Sequence, residues 1–487
     1  MNVAFISSEA VPFAKTGGLA DVSGSLPHQL ARLGCKVKLI IPKYDILNLE
    51  KYDLEKVNFD SPVSVSAGEK KYDINVFSCI DCDSKVEIYF IEQNELFNRG
   101  KIYTEDKDED IRFIVFQKAA IETLQHLNWA PDIIHCNDWQ TGLIPLYIKF
   151  NYSWDKLFRK TATLFTIHNI GYQGLFPAST LFKAEIPQEL FYPMAPAEFY
   201  GQVSFLKAGI TLADSVNTVS RTYAQELLSP EFGGGMEGVL AERQDDFTGI
   251  VNGVDYDIWS PEKDKMIPHN YSADDLSGKL ENKKYLLNQL GMPFQKEIPL
   301  MGMVSRIVSQ KGFDILARAV KYLVQLNAQW VILGTGDKKY ENKLIRIAKL
   351  YPNHLKVNLY YNEELAHLIE AASDIFIMPS LYEPCGLNQI YSLKYGSVPV
   401  VRKTGGLADT VHDWDANIQN ESGNGFVFEN YNGYDLYASV KRAVNCFNDK
   451  DLWKKIQLNG MKQDYSWQSS AKKYLELYKN ALINKVT

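Results

Sequence analysis

Short apolar runs rich in β-branched residues alternate with segments of helical periodicity along almost the whole chain. This alternation is typical of parallel sheets whose strands are joined by crossover helices. The predicted strands of the first half are NVAFISS, KVKLIIP, VEIYFIE, DIIHCND, TLFTIHN and SVNTVS, and those of the second half are PLMGMVSR, WVILGTGD, LKVNLYY, DIFIMPS and VPVVR. The pattern predicts an α/β protein built from doubly wound, Rossmann-like domains.

The chain has 487 residues, which is too long for one ordinary hydrophobic core, so we expect two domains. The second series of strands begins after FTGIVNGVD, and we therefore predict domains over residues 1–247 and 248–465. The final segment, 466–487, has helical spacing and no strand after it. We expect it to form a helix that packs back on the first domain.

One octapeptide occurs twice, as KTGGLADV from residue 15 and as KTGGLADT from residue 403. Each copy follows a predicted strand and precedes residues that are able to start a helix. A Gly-Gly pair there permits a tight turn and close approach of the backbone to a ligand, and ligands of open α/β sheets bind beyond the carboxyl ends of strands. We expect both pairs to serve this same geometric purpose; two unrelated turns with similar packing needs are the alternative.

Charge and cysteine content narrow the class of protein. The net charge of −7 argues against a nucleic-acid backbone as the main partner, although one bound nucleotide needs only a local cluster of cations. The six cysteines, which show no disulfide framework, are Cys35, Cys79, Cys82, Cys136, Cys385 and Cys446. Cys79 and Cys82 form the motif CIDC, but no second CxxC or His pair lies nearby to complete a zinc site. Because we find neither a signal peptide nor an apolar run of about 18 residues, we expect a cytoplasmic protein without a membrane span.

Two cations follow the first predicted strand of the second domain. The segment MGMVSRIVSQKG places Arg306 at the strand end, and Lys311 and Gly312 directly before a predicted helix. Arg supplies a planar fork of donors, Lys a point charge, and the helix start adds free amides and a favourable dipole. The combination suits a diphosphate, and a solvated basic turn is the alternative.

Glu383 follows the predicted strand DIFIMPS, in the segment SLYEPCGLNQIYSLKYG. We expect a helix to begin at about Cys385, with Pro384 near its first position. Glu383 could simply cap that helix. At the carboxyl edge of a sheet, however, its carboxylate is also able to bind sugar hydroxyls while the amides of Cys385, Gly386 and Leu387 hold a phosphate.

Together these segments resemble the bacterial glycogen synthases and plant starch synthases. The matching stretches are KTGGLADV at 15, HCNDWQTGL at 135, TIHNIGYQG at 166, GQVSFLKAG at 201, NGVD at 252, VSRIVSQKG at 304, EPCGLNQIYSLKYG at 383 and KTGGLADT at 403. They occur in the order of the family and cover nearly the whole chain. The resemblance implies the GT-B fold, in which two Rossmann-like domains face a central cleft.

The resemblance also implies roles for individual residues. Lys15 and the amide of Gly18 are expected to contact the donor diphosphate from the first domain, and Arg306 and Lys311 from the second. Glu383 is expected to bind the glucose ring.

The remaining expected site residues are Asp21, Asn252 and Tyr361 near the nucleoside, and Asp138 and His168 at the glucose or the incoming glucan end. Asp138 could instead cap a helix that starts at Trp139, and His168 could be a packed histidine at a strand end.

The chain departs from related sequences at two positions. Many retaining GT-B transferases carry a second Glu eight residues after the first, where it binds ribose, and this chain has Tyr391 there, as bacterial synthases commonly do. Gln140 stands where the group often has His, and we assign no acid–base role to it.

The implied reaction transfers glucose from ADP-glucose to the non-reducing end of an α-1,4-glucan, such as glycogen, with retention of configuration. We expect neither a metal nor pyridoxal phosphate, since Lys15, Arg306 and Lys311 would stabilise the departing ADP. No carboxylate is obviously placed as a covalent nucleophile, which favours front-face displacement.

Three alternatives to this function stay open. The donor could be UDP-glucose with another acceptor, the enzyme could be a phosphorolytic glucan enzyme that carries pyridoxal phosphate, or the chain could be a non-enzymatic glucan-binding scaffold. The sequence gives no prediction of the oligomeric state.

Overall fold

A computed structural model of the chain describes residues 1–49 and 52–486. The chain forms two compact units, Met1–Gly253 together with Trp467–Thr487, and Val254–Ser466. The first unit extends beyond the boundary that we predicted at residue 247. The reason lies in hydrogen bonds, because the Ile250 amide donates to the Thr218 carbonyl at 2.9 Å and the Val251 carbonyl accepts from the Ser470 hydroxyl at 2.8 Å.

The strands of the first unit form one large sheet and one small sheet. They are β1 Asn2–Ile6, β2 Lys36–Pro42, β3 Glu55–Lys56, β4 Val63–Ala67, β5 Lys70–Ile80, β6 Glu87–Glu92, β7 Ile133–Asn137, β8 Ala162–Ile167, β9 Leu175–Phe176, β10 Glu198–Phe199, β11 Gln202–Ser204, β12 Ser215–Thr218 and β13 Phe247–Gly249. The large sheet has the order β13-β12-β8-β7-β1-β2-β6-β5-β3, with β4 paired to β5, and the small sheet has the order β10-β11-β9. The strands from β13 to β6 are parallel, as predicted, whereas the hairpins made by β3, β4 and β5 are additions that we did not predict.

The helices of the first unit cover the large sheet. They are α1 Gly18–Arg32, α2 Asn94–Phe97, α3 Glu109–His126, α4 Ile144–Leu146, α5 Thr180–Ala184, α6 Phe205–Leu212, α7 Arg221–Glu226 and α8 Glu237–Ala241, followed at the end of the chain by Trp467–Val486. The chain reverses its direction of winding between the neighbouring strands β1 and β7. Ligands of open α/β sheets bind at such switch points, and the loops after β1 and β7 both start there.

The C-terminal helix Trp467–Val486 packs on the first unit. Tyr474 and Tyr478 are fully buried in the same hydrophobic cluster as Leu26 of α1 and Phe5 of β1. The Tyr478 hydroxyl also lies 2.8 Å from Nδ1 of His135, a buried strand residue. The helix therefore supplies apolar surface that covers one face of the sheet.

The second unit is a parallel sheet covered by helices. Its strands are β14 Leu300–Val304, β15 Gln329–Leu333, β16 Leu355–Asn358, β17 Ile375–Met378, β18 Val398–Arg402 and β19 Phe426–Phe428, and its helices are α9 Ser277–Gln289, α10 Phe313–Leu323, α11 Lys338–Leu350, α12 Glu363–Ala372, α13 Asn388–Lys394, α14 Gly405–Thr410, α15 Gly433–Phe447 and α16 Lys450–Met461. The sheet order is β16-β15-β14-β17-β18-β19. The prediction of two doubly wound α/β domains is confirmed, and the switch point here lies between β14 and β17.

Within the residues that the structure describes, we find no helix whose length and apolar content would let it cross a membrane.

Candidate functional site

A buried carboxylate shapes the loop that follows β1. One oxygen of Glu9 accepts hydrogen bonds from the amide of Thr16 at 2.5 Å and from its hydroxyl at 2.9 Å. Burial raises the pKa of Glu9, while these donors lower it. Glu9 thus holds the KTGG segment in place, and it was not predicted from the sequence because it lies before the motif.

The first glycine pair of the octapeptide borders open space. Gly17 is extended and Gly18 is the first residue of α1, and a Cβ atom built on either one has no other atom within 4 Å. Lys15 is half exposed, and its ammonium lies 2.7 Å from the carboxylate of Asp21 on the first turn of α1. The predicted residues Lys15, Gly18 and Asp21 are therefore brought together around an accessible helix start.

Asp138 lies directly after β7 with a left-handed φ of 55°. Its carboxylate accepts from the amide of His168 at 2.7 Å and from the amide of Asn169 at 3.4 Å. Burial raises the pKa of Asp138 to about 7. The side chain does not cap the short turn that starts at Trp139, so the capping alternative is wrong.

His168 follows β8 and is held by Asn137, the last residue of β7. The Asn137 amide group donates to the carbonyl of Ile6 at 3.0 Å, which leaves its oxygen facing Nε2 of His168 at 2.9 Å. Nε2 must therefore carry the proton that forms this hydrogen bond. Burial lowers the pKa of His168 to about 3, so the ring is neutral near pH 7. Asn137 was not predicted from the sequence, although its place in HCND beside Asp138 was the available signal.

Two residues expected near the nucleoside lie in different units. Asn252 belongs to the first unit, not to the second domain as we predicted, because the chain up to Gly253 stays attached to the first sheet. Its side chain is buried, and among the described residues its Oδ1 has no hydrogen-bond partner. Tyr361 lies in the second unit after β16, and its side chain is 83% exposed. Gln140, to which we assigned no role, follows Asp138 by two residues, and its side chain is buried.

An ion pair lies at the switch point of the second unit. Nζ of Lys311 is 2.6 Å from a carboxylate oxygen of Glu383, which also accepts from the hydroxyl of Ser380 at 3.1 Å. Glu383 is buried, so the cation compensates a carboxylate that has left water. The two residues come from the loops after β14 and β17.

The helix after Glu383 starts later than predicted. It begins at Asn388 with Leu387 as its N-cap, not at about Cys385. Gly386 has a φ of 70°, which turns the chain before the helix. Glu383 is therefore too far from the helix start to cap it, and the capping alternative is wrong here too.

Arg306 is exposed and its guanidinium lies 3.3 Å from the side-chain oxygen of Gln310. Gly312 explains how this loop approaches the next one. Its φ is 80°, and a Cβ atom there would lie 2.1 Å from the carbonyl oxygen of Pro379. Glycine therefore allows the loop after β14, with Arg306 and Lys311, to contact the loop that leads to Glu383.

The second glycine pair serves a different purpose from the first. A Cβ atom on Gly405 would lie 1.9 Å from the carbonyl oxygen of Glu383, and one on Gly406 would lie 2.0 Å from that of Cys385. This pair lets α14 pack against the Glu383 segment. The prediction that both pairs share one geometric reason is wrong. Lys403 pairs with Glu429 at 2.7 Å on the surface.

Tyr391, one of the two positions at which the chain departs from the sequences that it resembles, belongs to a stack of rings. It stacks on Trp259 with ring centroids 3.8 Å apart, and Trp259 stacks on His367 at 3.6 Å. Nδ1 of His367 lies 2.8 Å from a carboxylate oxygen of Asp264. Tyr391 is thus fixed by aromatic packing within the second unit.

Comparison with known proteins relates both units to glycosyltransferases. Residues 2–242 match the starch synthase catalytic domain, and residues 292–459 match the glycosyl transferases group 1. The chain is 44% identical to a glycogen synthase of Thermosipho melanesiensis over 100% of both chains, and 44% identical to that of Thermotoga maritima over 99% of both.

Solved structures give the same relationship. The catalytic domain of starch synthase IV from Arabidopsis thaliana, bound to ADP and acarbose, matches with a TM-score of 0.91 and 36% identity over 99% of both chains. A sucrose-phosphate synthase from Thermosynechococcus elongatus matches with a TM-score of 0.60 and 17% identity over 98% of both chains, which is a likeness of fold alone.

The two glycine pairs predict losses of stability of different size for the same substitution. Gly406→Ala should destabilise the protein by about 1–3 kcal/mol, the usual cost of overpacking, because the new methyl group meets the Cys385 carbonyl. Gly17→Ala should cost less than about 1 kcal/mol, because the space beside it is open. Thermal unfolding of both variants checks this, and equal losses would contradict the distinction.

The raised pKa of Asp138 predicts a pH-dependent stability difference. Between the ordinary pKa near 3.8 and the folded value of about 7, the folded state holds a proton that the unfolded state releases, so stability falls as pH rises. Asp138→Asn removes this loss, and the melting temperature of the variant relative to wild type should be higher at pH 8 than at pH 5. Since one pKa unit is about 1.4 kcal/mol, the difference is on the order of a few kcal/mol. An offset that does not change with pH would show that the carboxyl is not perturbed.

Proposed function

The chain belongs to the family of glycogen and starch synthases, and from this membership we propose that it transfers glucose from ADP-glucose to an α-1,4-glucan. The glucose is added at the non-reducing end with retention of the anomeric configuration. As a hexosyltransferase of this family, the enzyme uses a nucleotide-sugar donor and a glucan acceptor. The observation that carries the proposal is the similarity to a glycogen synthase over the whole chain, at 44% identity. The Lys311–Glu383 ion pair, at 2.6 Å beside the switch point of the second unit, supplies groups that fit it.

The cations of the second unit suit the diphosphate of the donor. Lys311 and Arg306 lie in one loop before α10, so a phosphate there would meet two positive side chains and the start of a helix. Catalysis of this transfer needs stabilisation of the negative charge that develops on the departing diphosphate. We propose that these cations, with Lys15 and the amides of Gly18 in the first unit and of Cys385, Gly386 and Leu387 in the second, supply it without a metal or pyridoxal phosphate.

Three buried side chains, those of Glu383, Asp138 and His168, are suited to bind sugar hydroxyls. Glu383 keeps two acceptor oxygens, and pairing with Lys311 leaves capacity for glucose hydroxyls. In the first unit, neutral His168 and Asp138, whose pKa burial raises to about 7, would face glucose or the incoming glucan end. We propose no covalent nucleophile, and in the front-face displacement that we favour the departing phosphate itself would accept the proton of the acceptor hydroxyl.

The adenine nucleotide is the most specific part of the proposal. The starch synthase IV structure, which is similar over 99% of the chain, contains ADP. Tyr361 is exposed after β16, and Asp21 and Asn252 lie in the first unit. We propose that these residues contact the nucleoside.

The donor assay tests the function directly. Label from ADP-glucose should enter glycogen much faster than label from UDP-glucose, and EDTA should leave the rate unchanged. Faster transfer from UDP-glucose at subsaturating concentration would overturn the adenine assignment. Absorbance of bound pyridoxal phosphate, or transfer that needs phosphate, would favour a phosphorolytic enzyme.

The two lysines of the octapeptides offer a matched pair of variants. Lys15→Ala should lower kcat/KM for ADP-glucose on the order of 10²-fold, since Lys15 borders the open space beside Gly18 and would act on the developing charge. Lys403→Ala should change kcat/KM little, because Lys403 is an exposed residue paired with Glu429. Circular dichroism should show that both variants fold. Equal losses, or a larger loss at Lys403, would contradict the proposed role of Lys15.

A further inference from the structure

The segment between β8 and α6 exposes unusually large apolar side chains. The exposed fractions are 56% for Tyr172, 59% for Tyr192, 84% for Met194 and 85% for Tyr200. Single exposed apolar residues are ordinary on protein surfaces. The backbone beneath two of them, Met194 and Tyr200, is not ordinary.

Tyr200 occupies a turn position that disfavours its side chain. Tyr200 and Gly201 form the two-residue turn between β10 and β11, with φ values of 48° and 79°. Such turns prefer Asn-Gly, because both residues have a positive φ. Met194 likewise has a φ of 73°. Bulky residues are uncommon in this conformation, so these two side chains are retained at the expense of local backbone energy.

One carboxylate holds both strained positions. The two oxygens of Glu198 accept from the amide of Met194 at 2.9 Å and from the amide of Gly201 at 2.7 Å. The Glu198 carbonyl in turn accepts from Nζ of Lys207, on α6, at 2.7 Å. The ring of Phe199 lies against that of Tyr200 with centroids 4.7 Å apart. Met194 and Tyr200 are therefore presented to solvent by a rigid, hydrogen-bonded support.

This support is continuous with the site around Asp138. The ring of Phe176, in β9, contacts the ring of Trp139 with centroids 5.6 Å apart, and Trp139 directly follows Asp138. A Cβ atom on Gly174 would lie 2.6 Å from the same ring, so glycine permits this packing. The small sheet is thus a layer built on the residue next to the proposed glucan end of the site.

We infer that Met194 and Tyr200 form a docking surface for the acceptor α-glucan, an inference that rests on the proposed function. The occupant is a neutral chain of glucose rings, whose apolar C–H faces suit an exposed aromatic ring, while the Tyr hydroxyl remains able to bond sugar hydroxyls. A rigid tyrosine offers this contact with little loss of side-chain entropy. Binding at this surface would keep a long acceptor near the site without contributing to the chemical step.

The test is Tyr200→Asn, which removes the ring and creates the turn sequence Asn-Gly. Because Asn-Gly suits the turn, the melting temperature should be unchanged or higher. The KM for glycogen should rise about 3- to 10-fold, whereas kcat and the KM for ADP-glucose should stay within about 2-fold of wild type. The KM for maltotriose, a much shorter acceptor, should change less. Tyr434→Asn is the control, since Tyr434 is 78% exposed on α15 of the second unit.

A binding measurement separates this inference from the donor assignment. Electrophoresis of the full-length protein through gels that contain glycogen reports affinity without any donor. Weaker retardation of Tyr200→Asn, but not of Tyr434→Asn, supports the docking surface whichever nucleotide sugar is used. Wild-type retardation and an unchanged KM for glycogen in Tyr200→Asn would overturn it. Loss of a self-association measured by sedimentation, with glycogen binding intact, would instead show that the surface binds another protein chain.

Discussion

A buried carboxylate must be paired with hydrogen-bond donors or with a cation. This requirement determines how the candidate residues are held in each of the two units. Asp138 meets it with two backbone amides and a pKa raised to about 7, whereas Glu383 meets it with the ammonium of Lys311. The donors come from neighbouring loops in each unit. Each carboxylate therefore joins two loops at the carboxyl edge of the sheet in its own unit, and the positions of the candidate residues within each unit depend on these few contacts.

The duplicated octapeptide shows that equal sequence does not mean equal function. Near Gly17 and Gly18 the chain leaves room, and Lys15 stays accessible beside it. At Gly405 and Gly406 the same residues leave no room for a side chain, because the carbonyl groups of Glu383 and Cys385 occupy the space. A glycine pair reports only that a side chain is not tolerated or not needed. Which of the two holds depends on what the fold brings against it, and a single sequence does not contain that information.

The fold was predictable because parallel strands are buried on both faces, so that their apolar runs stand out from the helices between them. The hairpin of β4 and β5 was missed because it is half exposed, so that its apolar residues alternate with polar ones and do not form a continuous apolar run. The candidate residues Lys311 and Glu383 could be chosen from the sequence because they lie in the loops that follow two such runs. Glu9 and Asn137 were not, because they act through hydrogen bonds to a loop and to a ring that only the folded chain brings near.

Departures from local rules identify sites best when the residue type and the backbone are considered together. Asn128 also has a positive φ, of 46°, yet Asn is one of the residue types in which such values are enriched. Asp138 combines a φ of 55° with a ψ of −177°, close to a region that is almost confined to glycine, and its carboxylate is the one that holds His168. Tyr200 places a bulky ring where Asn is preferred, with a carboxylate beneath it to hold the turn. In both places the surrounding hydrogen bonds stabilise an unfavourable backbone, which is the combination expected where a side chain is retained for what it binds.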